Sequence, residues 1–165
     1  LKEKFGKLQD LKIAIIGDIS HSRVALSNII GLCKMGAKVT LCGPPHLIPL
    51  GIEEMGVEVN YDINEVIEWA DAINVLRIQR ERMGIGIIPS VREYRKHFGI
   101  TKERLSLCDK EIVIMHPGPM NRGVEIDSVI ADSGQAIILN QVLNGVAVRM
   151  SILYLLLASD EEGDK

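Results

Sequence analysis

Residues 12–42, with the sequence KIAIIGDISHSRVALSNIIGLCKMGAKVTLC, contain two short apolar runs separated by a helical pattern. The first run, Lys12–Ile16, stops at a Gly-Asp pair and is typical of a strand that is buried on both faces. Apolar residues then recur at helical spacing over residues 24–35, and Gly36 supplies the C-terminal cap. The second run, Lys38–Cys42, follows almost at once. This β-α-β pattern predicts a parallel sheet.

The same alternation continues towards the C-terminus. It predicts further strands at residues 57–61, 72–76 and 111–115, and further helices at residues 47–55 and 64–69. Strands and helices that alternate in this way place helices on both faces of a parallel sheet. We therefore expect an α/β domain over residues 1–159, doubly wound and Rossmann-like, with about five strands, followed by a frayed polar tail at residues 160–165.

Composition excludes several classes of protein. The 165 residues suffice for one domain, and 47% hydrophobic with 25% charged residues is the balance of a globular protein. A net charge of −3 offers no basic field for nucleic acid or an anionic membrane. Three widely spaced cysteines, four scattered histidines and no apolar leader predict a cytoplasmic protein with reduced thiols and no bound metal.

Residues 135–159 form a helical pattern that is apolar on nearly every side. Such a helix must be covered on every side, and one five-stranded sheet covers only one of them. A membrane span is the alternative, but Gln141, Asn144 and Arg149 interrupt the apolar run. We therefore favour packing against protein, with no membrane as a partner.

The turn after the first strand, GDISHSR at residues 17–23, stands where a dinucleotide loop would stand. It lacks the second and third glycines of that motif, which disfavours NAD. Arg23 at the helix start is opposed by the helix dipole, whereas an anionic ligand is attracted there and an arginine can bind a carboxylate with two hydrogen bonds. The alternative is a solvated arginine beside Asp18.

Two further segments follow predicted strands. Arg77 and Gln79 alternate at the end of the fourth strand, so that an extended backbone directs a guanidinium and an amide to the same side. The alternative is a charged, solvated start of a helix at residues 77–82. Residues 116–123, HPGPMNRG, present backbone carbonyls to a ligand that carries N–H groups, although a simple tight turn explains the same composition.

Four segments together resemble the aspartate-binding, C-terminal domain of the aspartate carbamoyltransferase catalytic chain. They are GDISHSR at 17–23, NVLRIQRER at 74–82, MHPGPMNRGVEI at 115–126 and QVLNGVAVRMSIL at 141–153. The related ornithine enzymes fit less well, because they typically carry Cys-Leu-Pro at the positions of residues 117–119 and lack the Arg-x-Gln pair.

The resemblance implies a role for each matching residue. Arg23 corresponds to an arginine that contacts the aspartate carboxylates, and Arg77 to a second arginine that holds the side-chain carboxylate. Gln79 corresponds to the glutamine beside it. Pro117 and Gly118 match the positions whose backbone carbonyls receive the carbamoyl NH2 group, and the preceding histidine is expected to be structural.

The implied reaction transfers the carbamoyl group of carbamoyl phosphate to L-aspartate in pyrimidine synthesis, without a metal or an organic cofactor. The family's N-terminal domain, with its Ser-Thr-Arg-Thr-Arg phosphate-binding segment, has no counterpart here. The resemblance therefore implies half of an active site with no catalytic residue of its own, inactive alone, in which the apolar helix packs against both domains. It also implies a homotrimer of intact chains, which could carry regulatory chains or a dihydroorotase.

Two other functions compete with this interpretation. One is a stand-alone module that binds an amino acid or a dicarboxylate without catalysis. The other is a nucleotide-binding oxidoreductase domain, which the missing glycines make remote.

Overall fold

Five parallel strands form the centre of the structure, a computed structural model that describes residues 1–78 and 90–161. The strands lie side by side in the order β3-β2-β1-β4-β5. The bounds are Lys12–Ile16 for β1, Lys38–Cys42 for β2, Glu58–Val59 for β3, Ala72–Val75 for β4 and Val113–Met115 for β5. Every pairing is parallel, and the order reverses between β1 and β4. The predicted doubly wound sheet is confirmed.

Seven helices accompany the sheet in the described ranges. They are α1 (Lys2–Phe5), α2 (Arg23–Lys34), α3 (Ile63–Trp69), α4 (Val91–Phe98), α5 (Lys102–Leu105), α6 (Ser128–Ala131) and α7 (Ile138–Glu161). The core divides between the two faces, since Ile15 packs with Ile29 of α2 whereas Ile16 packs with Val66 of α3. Neighbouring strand residues point to opposite faces, so helices cover both faces, as the alternating pattern predicts.

The helix predicted over residues 47–55 is wrong. Two short 3-10 turns, Pro45–Leu47 and Ile52–Met55, stand there instead. Pro49 removes a backbone donor, and Gly51 has a φ of 75°, in the left-handed region. The third strand is also shorter than the predicted residues 57–61, because only Glu58 and Val59 pair with β2.

Helix α7 begins against the sheet and then leaves it. Ile138 is buried, whereas every side chain from Val142 to Leu157 is exposed. Residues 138–157 are long and apolar enough to cross a membrane by length and composition alone. Gln141, Asn144 and Arg149 therefore do not exclude a membrane span, and the choice between membrane and protein as the partner of α7 needs other evidence. The helix continues to Glu161, and residues 162–165 lie outside the described ranges.

Candidate functional site

Three neighbouring strands end at the same edge of the sheet. Ile16 of β1 pairs with Val75 of β4, and Asn74 of β4 pairs with Met115 of β5. The segments that follow β1, β4 and β5 therefore start side by side, where the strand order reverses. Doubly wound sheets bind their ligands at this place. All five residues predicted for the site belong to these segments, although Gln79 lies outside the described residues.

The turn after β1 is held by contacts within the turn. Asp18 is buried, and its carboxylate accepts a hydrogen bond from the backbone N–H of His21 at 3.1 Å. The imidazole Nδ1 of His21 lies 3.0 Å from the same carboxylate. The hydroxyl of Ser22 then accepts from the N–H of Ala25 at 3.1 Å and caps α2. The turn is thus ordered without any contribution from Arg23.

Arg23 is the first residue of α2, and it is exposed. The first turn of α2 contains no acidic residue. Asp18, the neighbour that could have explained Arg23 structurally, pairs with His21. Within residues 1–78 and 90–161, no ion pair joins Arg23 to a carboxylate. A guanidinium at the positive end of a helix, with no counter-ion among the described residues, favours an anionic ligand.

The segment after β4 continues the sheet and places Arg77 at its edge. The N–H of Leu76 donates to the carbonyl of Ile16 at 2.8 Å, which extends the pairing with β1 by one residue. Leu76 and Ile78 are buried, whereas Arg77 between them is only partly buried. The alternation is that of extended backbone, the geometry predicted for this segment.

The segment after β5 turns sharply around His116, which is fully buried. The N–H of Gly118 donates to Nδ1 of His116 at 2.9 Å, so Nε2 carries the ring proton and donates to Oε1 of Glu125 at 3.3 Å. Gly118 has a φ of 60°, a left-handed conformation that glycine adopts without strain. Among the described residues, nothing donates to the carbonyl oxygens of Pro117 and Gly118. The turn is thus fixed by the His116 ring, and within residues 1–78 and 90–161 both carbonyl oxygens stay available to a ligand.

Glu125 and Asn121 are members of the site that sequence reasoning missed. Besides the His116 ring, Oε1 of Glu125 accepts from the N–H of Asn121 at 2.5 Å. The side-chain Nδ2 of Asn121 donates to the carbonyl of Ile78 at 3.0 Å and so joins the β5 turn to the β4 segment. Both residues lie inside the segment MHPGPMNRGVEI, but no sequence pattern indicates their contacts. Glu125 reaches His116, nine residues earlier, and Asn121 reaches Ile78, 43 residues earlier.

Helix α7 also reaches this turn. Oε1 of Gln141 accepts a hydrogen bond from the backbone N–H of His116 at 3.2 Å. Gln141, noted in the sequence as an interruption of an apolar run, is therefore a contact between α7 and the site.

Two buried side chains, Tyr94 of α4 and Cys42 at the end of β2, stay protonated near neutral pH. Burial raises the pKa of the Tyr94 hydroxyl, and the nearby charge of Glu125 raises it further. Burial also raises the pKa of the Cys42 thiol, to about 12. Neither group can act as a base or a thiolate near neutral pH. Within the described ranges, no group of three or more His, Cys, Asp or Glu side chains is placed to hold a metal ion. The arginines at this edge of the sheet are suited to binding and orienting an anion.

Comparison with known proteins identifies relatives over nearly the whole chain. The profile of the aspartate/ornithine carbamoyltransferase family, Asp/Orn binding domain, matches residues 9–156. The aspartate carbamoyltransferase catalytic subunit of Carboxydothermus hydrogenoformans is 55% identical over 99% of this chain and 53% of its own length. That of Cytophaga hutchinsonii is 58% identical over 94% of this chain and 51% of its own length. The chain thus spans about half the length of these relatives.

Solved structures share the fold at lower identity. Ornithine carbamoyltransferase from Pyrococcus furiosus superposes with a TM-score of 0.75 at 24% identity, over 93% of this chain and 52% of that protein. Aspartate transcarbamoylase from Trypanosoma cruzi, in complex with phosphate, gives a TM-score of 0.71 at 24% identity over the same fractions.

Proposed function

The chain belongs to the aspartate/ornithine carbamoyltransferase family, and we propose that it is the aspartate-binding half of an aspartate carbamoyltransferase catalytic subunit. One observation carries the proposal. Arg23, Arg77 and the Pro117–Gly118 carbonyls follow three adjacent strands, β1, β4 and β5, at the edge where the strand order reverses.

The proposed roles follow from the chemistry of each group. Arg77 and Gln79 bind the side-chain carboxylate of aspartate, and Arg23 contacts its carboxylates. The carbonyls of Pro117 and Gly118 accept hydrogen bonds from the NH2 of carbamoyl phosphate. The aspartate amine then attacks the carbamoyl carbon, a C–N bond forms, and the C–O bond to phosphate breaks with the electron pair leaving on phosphate. The amine gives up a proton to the departing phosphate, and the products are N-carbamoyl-L-aspartate and phosphate.

In this proposal the chain accelerates the reaction by placing the two substrates rather than by acid or base chemistry. Fixing the amine next to the carbamoyl carbon turns a bimolecular step into an effectively unimolecular one. The groups that stabilise developing charge on the carbonyl oxygen belong to the other half of the enzyme.

Charge favours aspartate over ornithine as the substrate. Two guanidinium groups at one edge attract a dianion, whereas the side chain of ornithine carries an ammonium group that they would repel. Pro117 also has no side-chain group that reacts or donates, which leaves its backbone carbonyl as the polar feature of that position.

The exposed surface of α7 supports the proposal that a second half of the enzyme covers this helix. Leu139, Leu143 and Leu155 are 82%, 70% and 67% exposed, far more apolar surface than a free domain normally shows on one helix. In the proposed complete subunit this surface packs against the N-terminal half. The proposal includes a homotrimer of complete subunits, supported by the resemblance alone, and a cytoplasmic location, supported by the three free thiols.

The test is formation of carbamoyl-aspartate by the purified chain alone and by the chain joined to its N-terminal half, with that half alone as the control. We expect turnover only from the joined protein. Turnover by the isolated chain would contradict a half-site, and an inactive joined protein would contradict the function.

Titration of the isolated chain with aspartate or succinate separates the proposal from a stand-alone binding module. A half-site binds either ligand feebly in the absence of carbamoyl phosphate. Saturable, tight binding by the isolated chain would instead support the module.

A further inference from the structure

Asn121 forms hydrogen bonds in two directions at the proposed site. Its backbone N–H donates to Oε1 of Glu125 at 2.5 Å, within the turn that follows β5. Its side-chain Nδ2 donates to the carbonyl of Ile78 at 3.0 Å, in the segment that follows β4. The two acceptors, Oε1 of Glu125 and the carbonyl oxygen of Ile78, belong to segments that are far apart in sequence. Among the described residues, Asn121 alone bonds to both of these acceptors.

Each of these two segments carries a different part of the proposed binding site. Ile78 lies directly after Arg77, so the position of its carbonyl reports the position of the Arg77 backbone. Glu125 holds the ring of His116, and that ring accepts the N–H of Gly118. Any movement of the β5 turn relative to the β4 segment must therefore stretch or break the bond between Asn121 and Ile78.

The bond is not needed to close either segment by itself. The β5 turn is closed by His116 and Glu125, and the β4 segment continues the sheet through the bond between Leu76 and Ile16. The side-chain amide of Asn121 adds only the connection between them. The amide therefore affects where the β5 turn lies relative to the β4 segment, and neither segment depends on it to form.

We propose that Asn121 is a positioning residue that sets the distance between the Pro117–Gly118 carbonyls and Arg77, and hence between the carbamoyl carbon and the aspartate amine. The inference rests on the proposed function and adds a residue to it. Reactions that depend on near-attack geometry are sensitive to shifts of about 1 Å in such a distance.

The experiment compares Asn121→Asp and Asn121→Ala with the parent in the complete enzyme. Asn121→Asp keeps the size of the side chain and removes its N–H donor, whereas Asn121→Ala removes the donor without adding charge. The matched control is Asn64→Asp, which alters an exposed asparagine of α3 whose hydrogen bonds, within the described part of the chain, join it to Arg104 and to the Asp62 cap of its own helix. The readouts are kcat, the KM of each substrate, and the thermal midpoint.

For both Asn121 variants we expect kcat/KM for aspartate to fall about tenfold, the effect of losing one partly buried hydrogen bond. The KM for carbamoyl phosphate and the thermal midpoint should stay near the parent values, because the carbonyl turn keeps its own bonds. The control should match the parent in every readout.

The outcomes separate the inference from the proposed function. An inactive parent overturns the proposed function and this inference with it. An active parent with Asn121 variants of unchanged kcat and KM overturns the inference alone. So does a loss confined to the thermal midpoint and the amount of folded enzyme, or the failure of both variants to fold, since either result would make Asn121 a purely structural residue.

Discussion

Nε2 of His116 lies 3.3 Å from Oε1 of Glu125, and both side chains are fully buried at the end of β5. Because Nδ1 of the same ring accepts the N–H of Gly118, the ring has one tautomer, with its proton directed at Glu125. One buried pair thus determines the shape of the turn that presents the Pro117 and Gly118 carbonyls.

The loss of stability on replacing Glu125 should depend strongly on whether the new side chain keeps a hydrogen-bond acceptor. Glu125→Gln keeps an oxygen that accepts from His116 and Asn121, so we expect the free energy of unfolding to change by about 1 kcal/mol or less. Glu125→Ala leaves the buried ring N–H of His116 and the partly buried N–H of Asn121 without this acceptor and should cost about 2–4 kcal/mol. Urea unfolding of the purified protein measures both. Equal losses for the two variants would contradict the acceptor role.

Arg77→Ala in the complete enzyme should impair the use of aspartate selectively. Loss of a charge-assisted contact to a carboxylate costs about 1.5–3 kcal/mol, which raises the KM for aspartate roughly 10- to 150-fold. Binding of carbamoyl phosphate should be largely kept, as measured by steady-state kinetics with each substrate varied. Arg92→Ala, on the exposed side of α4, is the control. An equal loss for both substrates would contradict the role of Arg77.

The ion pair between Arg95 and Asp127 should make stability depend on pH. The hydrogen bond from Arg95 lowers the pKa of Asp127 from its ordinary 3.8. Since the folded-state pKa lies below the unfolded one, the pair stabilises the fold above the ordinary value and loses this effect as the pH falls through the folded-state pKa. Asp127→Asn should therefore cost stability at pH 7, by about 1 kcal/mol or less for a partly exposed pair.

The check is unfolding of parent and Asp127→Asn between pH 7 and pH 2, with Asp132→Asn as the control. Asp132 pairs with Arg122 in a more exposed position. The curves of parent and Asp127→Asn should converge at the acid end. A difference that persists unchanged at pH 2 would assign the loss to packing rather than to charge.

Cys42 should resist alkylation in the folded protein. Burial raises the pKa of its thiol to about 12, which leaves roughly one thiol in 10,000 ionised at pH 8. Cys33 and Cys108 are partly exposed, so iodoacetamide should modify them first. Peptide mass mapping before and after unfolding in urea measures the order. Labelling of Cys42 at the rate of Cys33 in the folded protein would contradict its burial.

Strands β1 and β2 agree residue for residue with the sequence prediction, and α2 begins one residue before the predicted residue 24. These elements are predictable because their signals are local, consisting of an apolar run, a glycine stop and a serine cap. The predicted helix at residues 47–55 failed for a local reason as well, since Pro49 and Gly51 outweigh its apolar spacing.

The amino-acid sequence by itself determined that strands and helices alternate along the chain, that the sheet is parallel, and that cationic and carbonyl-rich segments follow three of its strands. Only the tertiary structure decided which side chains meet there. Asp18 pairs with His21 rather than with Arg23, and Asn121 binds the carbonyl of Ile78, 43 residues away. The physical reason is that apolar patterns and turn signals are set by residues a few positions apart in the sequence. A hydrogen bond between two loops forms only after the sheet has brought their strands into register.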